Sequence, residues 1–263
     1  MTTGKDGAGP VVLLQITDPH LHAAADSRMR GVVTFDTFLT VIEQMQRDER
    51  WPPDAILATG DLVQDESRGG YRRFRSSLGD LGVPIYCVAG NHDDPALMRE
   101  ILGQPPFQVD GEAALGAWLV IFLNTHVPGE DSGTVAEGDL ARLQRRLADN
   151  PDKHVLICMH HQPVPMGSAW LDGVALSNAK ALLEIVDRHA HVRGLVWGHV
   201  HQSSDRYRGN LRLLSTPSTC AQFLPGSDFF ALDNRPPGYR WIALHPDGRI
   251  DSGVQWLTRV DGR

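Results

Sequence analysis

The sequence is poor in cysteine, and this limits the kinds of site that it suits. Its three cysteines, Cys87, Cys158 and Cys220, are scattered and include no C-x-x-C pair. Such a set predicts neither a disulfide framework nor a thiolate zinc ribbon. Cys87 and Cys158 lie inside apolar runs, so we interpret them as small core residues.

Long apolar runs and an excess of basic residues are also absent. No segment approaches the roughly 18 apolar residues that a membrane-spanning helix needs, and the first residues lack the pattern of a signal peptide. We therefore expect a cytoplasmic protein in a reducing compartment, without membrane association. The formal net charge of −7 repels a polyanion, so DNA or RNA is not an expected partner. A homodimer is neither indicated nor excluded.

Apolar runs of strand length alternate with amphipathic helical patterns along most of the chain. With 41% hydrophobic and 22% charged residues, the chain can bury a sizeable core. The alternation predicts an α/β layered fold, and periodicity alone favours a doubly wound sheet with ligands beyond the carboxyl ends of the strands. Residues 1–10 are polar and Gly-rich, so we expect a disordered tail, followed by a single domain over 11–263.

Five of the predicted strands end in side chains that bind metals. A lone histidine after a strand is more often structural, and Gly90–Asp93 alone would also suit a turn with positive φ at Gly90. Five strand ends that agree make coincidence implausible, and we expect them on the same edge of the sheet. Asp18 and His20 are two positions apart, as are His199 and His201, and in an extended chain this spacing places both side chains of a pair on one side. The candidates are Asp18, His20, Asp61, Asn91, His92, His160, His199 and His201.

The donor types predict two ions. Carboxylate, imidazole and amide donors without thiolate suit Mn, Fe or Zn in open sites. These donors are too many for one ion with room for substrate, but suit two ions that share a carboxylate. Asp61 stands alone on the central strand and is the expected bridge. Two carboxylates against two divalent cations leave a charge near +2, which a phosphodiester anion and a metal hydroxide would neutralise.

The motifs D-x-H, G-D, G-N-H-D, H and G-H-x-H, with these gaps, resemble those of the calcineurin-like metallophosphoesterases. Three later segments, 197–202, 217–223 and 236–241, resemble the class III cyclic-nucleotide phosphodiesterases, the branch that hydrolyses cyclic AMP. The resemblance runs from about residue 11 into the C-terminal region. It implies a four-layer α/β/β/α sandwich of two packed mixed sheets.

The resemblance also implies roles for individual residues. One metal would be held by Asp18, His20, Asp61 and His201, and the other by Asp61, Asn91, His160 and His199. His92 would face the substrate phosphate as an acid or electrostatic stabiliser, which makes His92 and Asp61 the expected catalytic residues. The substrate would be contacted by His20, Asp61, Asn91, His92 and His201.

The implied function is hydrolysis of 3′,5′-cyclic AMP to 5′-AMP by metal-hydroxide attack on the phosphodiester. Fe and Mn are the favoured ions, and Zn is an alternative. A broader phosphodiesterase acting on glycerophosphodiesters or 2′,3′-cyclic nucleotides is the second interpretation. A non-catalytic, metal-bound scaffold is third, because every ligand and His92 are retained.

Several neighbouring residues have two interpretations each. Protein-phosphatase relatives carry G-D-x-x-D-R-G, whereas Gln64 occupies the position of their second Asp; this leaves Asp93 and Asp65 as candidates for orienting His92. His22 and His161 adjoin ligands and are either orienting residues or solvated turn residues. Trp170 either stacks on a base or packs at the rim. Phe223 and Arg240 have no assigned role.

Overall fold

A computed structural model describes residues 9–258. Most of the tail predicted as disordered, and the last five residues of the predicted domain, lie outside the described residues. Within them, sixteen strands and six helices are present. No helix in this part of the chain has the length and apolar character to cross a membrane.

Apolar spacing in the sequence predicts five helices, which begin near Thr34, Tyr71, Pro95, Leu140 and Asn178, the second reaching Leu81. All five are present, and one short helix is added before the fifth. Ser67 and Asp94 cap their helices by accepting backbone N–H bonds, and Pro95 opens the third, as is usual for these residue types. Leu81, expected on the second helix, lies beyond its end. The helices are α1 Thr34–Arg47, α2 Arg68–Leu78, α3 Pro95–Leu102, α4 Glu137–Asp149, α5 Ala169–Asp172 and α6 Ala179–Asp187.

Two six-stranded sheets form the centre of the fold. The order of the first is β16-β15-β1-β4-β5-β6 and that of the second β11-β12-β10-β9-β8-β7. The strands are β1 Val11–Ile16, β2 Arg28–Met29, β3 Val32–Val33, β4 Ala55–Thr59, β5 Ile85–Val88, β6 Phe107–Val109, β7 Gly111–Leu115, β8 Trp118–Phe122, β9 His154–Cys158, β10 Val192–Trp197, β11 Ser204–Arg208, β12 Leu211–Ser215, β13 Gln222–Phe223, β14 Leu232–Asp233, β15 Gly238–Leu244 and β16 Ile250–Trp256.

The doubly wound sheet favoured by periodicity is wrong, and the two mixed sheets implied by the family resemblance are confirmed. Parallel strands β1, β4, β5 and β6 form two thirds of the first sheet, and the antiparallel pair β15–β16 completes it. In the second sheet β12, β10, β9 and β8 run parallel between two antiparallel edges. Periodicity identifies strands but does not determine which sheet they join.

Three apolar clusters define the layers of the sandwich. The first packs α1 to α3 against the outer face of the first sheet, and the second packs α4 and α6 against the second sheet. The third lies between the sheets. Side chains alternate between layers, so Leu14 belongs to the first cluster and Leu13 to the third. Both faces are covered, which explains the continuous apolar strands.

A polar seam interrupts the apolar layer between the sheets. Arg240 on β15 is 1% exposed and donates to the carbonyl oxygens of Ser204 and Ser215 in the second sheet, at 3.0 and 2.7 Å. Gln15 on β1 donates to Thr59 (2.8 Å) and to the carbonyl of Trp197 on β10 (3.2 Å). Burial lowers the pKa of Arg240 to about 10. These bonds join the two sheets just below the strand ends.

Candidate metal centre

The predicted donors meet where the carboxyl ends of both sheets converge. Asp18 and His20 follow β1, Asp61 follows β4, and Asn91 follows β5, all in the first sheet. His160 follows β9, whereas His199 and His201 follow β10, in the second sheet. The expectation of one shared sheet edge is therefore wrong, since two edges supply the donors.

At five of the seven donors the backbone is left-handed and not extended. Asp18, His20, Asp61, His199 and His201 have φ values of 51°, 46°, 50°, 65° and 46°. The alternation argument for the i, i+2 pairs is thus wrong, although both members of each pair do reach one site. Residues with side chains adopt this conformation at a cost of order 1–3 kcal/mol each, which is usual at functional sites.

Glycines precede the donors Asp61, Asn91 and His199, because the loops that carry these donors approach their neighbours closely. A Cβ at Gly90 would overlap the Asp61 carboxylate, and one at Gly198 would overlap the Thr17 hydroxyl. Gly90 does not have the positive φ that a simple turn would have required. The glycine in each motif therefore makes room for a neighbouring loop.

One donor set gathers around His20 and His201. Their Nε2 atoms lie 3.0 Å apart. Nε2 of His201 is 3.4 Å from Oδ1 of Asp18, and Nε2 of His20 is 3.7 Å from Oδ2 of Asp61. All four residues are at most 3% exposed.

A second donor set gathers around Asn91. Its Oδ1 lies 3.2 Å from Nε2 of His160 and 3.0 Å from Nδ1 of His199. Nε2 of His160 is also 3.4 Å from Oδ1 of Asp61. The two oxygens of Asp61 thus face different donor sets, which suits a bridging carboxylate.

The donor atoms fit metal ions. Nδ1–H of His160 donates to the carbonyl oxygen of Thr59 (2.8 Å), and Nδ1–H of His201 donates to that of Ala221 (2.7 Å); such bonds fix the ring for ligation through Nε2. Nε2 of a neutral His160 and Oδ1 of Asn91 are then two acceptors 3.2 Å apart, an arrangement that a bound cation would satisfy. Ligands about 2.1 Å from an ion and at right angles lie about 3 Å apart.

Charges in the centre are strongly coupled. Burial lowers the pKa of His20 and His199 to about 3. Burial opposes the charged form of His160 as well, but the Asp61 carboxylate outweighs it and raises the pKa to about 9. Burial would raise the pKa of Asp61, yet His160 and His20 bring it well below its usual range. A cation is therefore favoured beside Asp61, either a proton on His160 or a metal.

His161 is an orienting residue and not a solvated turn residue. It is fully buried, and its Nδ1 lies 2.7 Å from the Thr125 hydroxyl while its Nε2 lies 3.2 Å from the carbonyl oxygen of Asp131. Its ring packs against those of His160 and His199 at 4.9 and 4.6 Å between centroids. Because both nitrogens have partners, its role is to hold two donor rings in place. His22 is half-buried and lies 3.9 Å from Asp65.

His92 is held by Gln64, the residue at which the sequence departs from the protein-phosphatase pattern. The Gln64 amide N–H donates to Nδ1 of His92 at 3.2 Å. Neither Asp93 nor Asp65 makes this contact. Asp93 accepts from Gly90 N, Leu62 N, Val63 N and the Tyr71 hydroxyl, and Asp65 accepts from Ala23 N and Ser67 N. A ring nitrogen of His92 lies within 4.8 Å of donor atoms of His20 and Asp61.

A cleft of about 320 Å³ opens onto the donors. Its polar end contains Asp61, Asn91 and His92, and its other end contains Trp170, Phe223 and Phe230. The cleft is thus large enough for a small organic ligand. Phe223, unassigned from the sequence, lines it, whereas Arg240 belongs to the seam between the sheets.

Comparison with known sequences identifies related proteins. The profile of the calcineurin-like phosphoesterase family matches residues 11–203. A 3′,5′-cyclic adenosine monophosphate phosphodiesterase of Pseudomonas aeruginosa is 40% identical, over 95% of this chain and 90% of its own length. An Escherichia coli K12 protein with the same description is 37% identical, over 98% and 94% of the two chains.

Comparison with solved structures gives the same architecture. A dimetal phosphatase from Danio rerio is similar with a TM-score of 0.65 and 16% identity, over 95% of this chain and all of the other. An anchor protein of the inner membrane complex of Plasmodium has a TM-score of 0.60 at 12% identity, over 97% and 86% of the two chains. At such identities the likeness concerns the fold alone, which hosts different functions.

Proposed function

The chain belongs to the calcineurin-like phosphoesterase family, and we propose that it is a dimetal phosphodiesterase that hydrolyses 3′,5′-cyclic AMP to 5′-AMP. The observation that carries this proposal is the position of Asp61, whose two oxygens face separate donor sets at the polar end of a cleft. Relatives 37–40% identical over nearly the whole chain have this activity in their names.

Each donor set is proposed to hold one ion. Asp18, His20 and His201 would hold the first, Asn91, His160 and His199 the second, and Asp61 would bridge. Fe and Mn suit these oxygen and imidazole donors, and Zn is an alternative. Ions held there polarise phosphoryl oxygens and lower the pKa of bound water.

The residues that line the cleft would contact the substrate. His20, Asp61, Asn91 and His201 would lie against the substrate phosphate, and His92 would face the leaving 3′-oxygen. Asp61 also accepts the backbone N–H of His92 at 2.9 Å. This bond holds the turn that carries His92 at a fixed distance from the bridge, which suits a residue that must meet a bound phosphate.

The charge of the centre matches a small anionic diester. Asp18 and Asp61 contribute two negative charges, so two divalent ions leave about +2 for a phosphodiester and a water-derived anion. The net charge of −7 opposes a nucleic acid substrate. The cytoplasmic location, the lack of membrane association and the single domain over 11–263 stay predictions.

Substrate preference tests the proposed function. We expect purified protein with added Mn²⁺ to release 5′-AMP from 3′,5′-cyclic AMP, with a higher kcat/KM than for 2′,3′-cyclic AMP or glycerophosphocholine. A marked preference for either of the latter two would replace cyclic AMP by a broader substrate class. Two bound ions per chain without turnover of any diester would indicate a non-catalytic scaffold.

A further inference from the structure

Three aromatic rings form one wall of the cleft beside the donors. The Phe223 ring lies parallel to the His201 ring, with 4.0 Å between centroids and 9° between planes. Trp170 meets Phe223 and Phe230 edge to face at 5.1 and 5.3 Å, and Phe223 meets Phe230 at 5.4 Å. The wall therefore continues directly from a donor side chain into the apolar end of the cleft.

The wall is partly exposed. Phe230 is 42% exposed, Trp170 and Phe223 are half-buried, and all three line the cleft. Leu171 and Val174 extend the apolar lining. The Trp170 indole N–H is buried and has no partner within residues 9–258.

Resting on the proposed function, we infer that Trp170, Phe223 and Phe230 form a stacking site for the nucleobase of the substrate. A cyclic nucleotide has an anion at one end and a flat aromatic ring at the other, as the cleft has donors at one end and aromatic rings at the other. Stacking of a base on an aromatic side chain is tolerant of base identity, because every base presents a π-face. The site thus selects base-bearing over base-free phosphates.

Binding of two product-like phosphates tests the inference. 5′-AMP and ribose 5-phosphate share the phosphate and ribose but differ in the base, so the ratio of their Kd values measures what the base contributes. With Mn²⁺-loaded wild-type enzyme, calorimetry should give 5′-AMP an advantage of about 5-fold to 150-fold, the range expected for one stacked base. Trp170→Ala should bring the ratio close to one, and the KM for cyclic AMP should rise more than kcat falls.

Two further variants control the test. Phe230→Ala removes a second ring of the wall and should also lower the ratio, which keeps the test open if Trp170→Ala does not fold. Phe229→Ala removes the neighbouring ring, which is 82% exposed and does not line the cleft, so its ratio should equal that of wild type.

The outcomes separate the stacking site from the proposed function. A wild-type ratio near one, or a ratio unchanged in both wall variants, overturns the stacking site even if cyclic AMP is hydrolysed. A ratio that depends on Trp170 and Phe230 in an enzyme that does not hydrolyse cyclic AMP supports the site and overturns the cyclic AMP proposal.

Discussion

His92 differs from the donor histidines His160 and His201 in the partner of its ring. The donor rings of His160 and His201 are fixed by backbone carbonyls, whereas Nδ1 of His92 accepts from the side chain of Gln64. The proton of a neutral His92 then resides on Nε2. Such a ring can donate a hydrogen bond from Nε2 to a leaving oxygen.

We predict that His92→Ala keeps the fold and two bound metals but lowers kcat for cyclic AMP by about 10²–10⁴-fold, the usual effect of removing a positioned acid. The loss should be smaller for bis(p-nitrophenyl) phosphate, because a p-nitrophenolate leaves without a proton. Steady-state kinetics with both substrates, together with metal analysis, measures this difference.

His22→Ala is the matched control, because His22 is a half-buried histidine near Asp65 that belongs to neither donor set; its kcat should stay close to that of wild type. Equal losses on both substrates in His92→Ala would mean that His92 orients the phosphate. Loss of a bound metal from His92→Ala would mean that His92 is a metal ligand.

The residue types of the centre could be predicted from the sequence, but their surroundings could not. Donors at strand ends are recognisable because strands are short apolar runs that end in polar groups. The Gln64–His92 contact joins residues 28 positions apart on two loops whose separation no local pattern encodes. The left-handed backbone at Asp18 and His20 is likewise imposed by the convergence of loops.

At the scale of elements, the end of α1 is fixed to the first sheet by Asp48. One carboxylate oxygen accepts from the Tyr239 hydroxyl on β15 at 2.6 Å, and the other accepts from the backbone and side chain of Arg50 at 2.9 and 2.8 Å. Burial alone would raise the pKa of Asp48, but these hydrogen bonds and the Arg50 charge lower it. The charged form therefore holds the helix end in place.

We predict that Asp48→Asn lowers the free energy of unfolding by about 1–2 kcal/mol near neutral pH, since hydrogen bonds to a charged group are weakened. The folded-state pKa lies below the ordinary value of 3.8, so this stabilisation is complete above that value and is lost as pH falls through the folded-state pKa. Wild type and Asp48→Asn are compared by urea unfolding at about pH 7 and by thermal unfolding at about pH 3. The difference in stability between the two proteins should be smaller at the lower pH.

Glu49→Gln is the matched control. Glu49 also pairs with Arg50, at 2.9 Å, but its side chain is 80% exposed, and exposed pairs contribute about 0–1 kcal/mol. Stability lost equally in both variants would mean that Arg50, and not the bond from Tyr239, fixes the helix end.

The helices and most central strands could be predicted from their apolar periods. The second sheet could not be separated from the first, because strand pairing depends on contacts such as those of β1 with β15, more than two hundred residues apart. Edge strands β7 and β11 are also missing from the prediction, since exposed edges need no continuous apolar run. The family resemblance, and not periodicity, led to the two-sheet fold.

Over the whole molecule, the donor sets connect the two sheets. Each set combines residues after strands of the first sheet with at least one histidine from the second. The seam of Gln15 and Arg240 joins the same sheets through neutral hydrogen bonds and a buried cation. Ions bound at the donors would add a second connection at the strand ends, so metal binding and global stability are expected to be coupled.

We predict that removal of metals by a chelator lowers the Tm and that added Mn²⁺ restores it. A ligand present at about 100 times its Kd stabilises the folded state by about 2.7 kcal/mol, which for a chain of this size corresponds to about 5–10 °C per site. If Asp61 bridges, Asp61→Asn should abolish the gain from both sites, whereas His20→Ala should abolish only part of it. Thermal unfolding with and without Mn²⁺, alongside metal analysis, gives the gain for each variant.

Asp65→Asn provides the control, because Asp65 accepts backbone N–H bonds in a neighbouring loop but belongs to neither donor set. Its Tm without metal should fall, while its gain with Mn²⁺ should equal that of wild type. A full gain in Asp61→Asn, with two ions still bound, would show that Asp61 is not the bridge. Asp18, the other buried carboxylate among the donors, would then be the residue to replace, because only a carboxylate offers two oxygens to two ions.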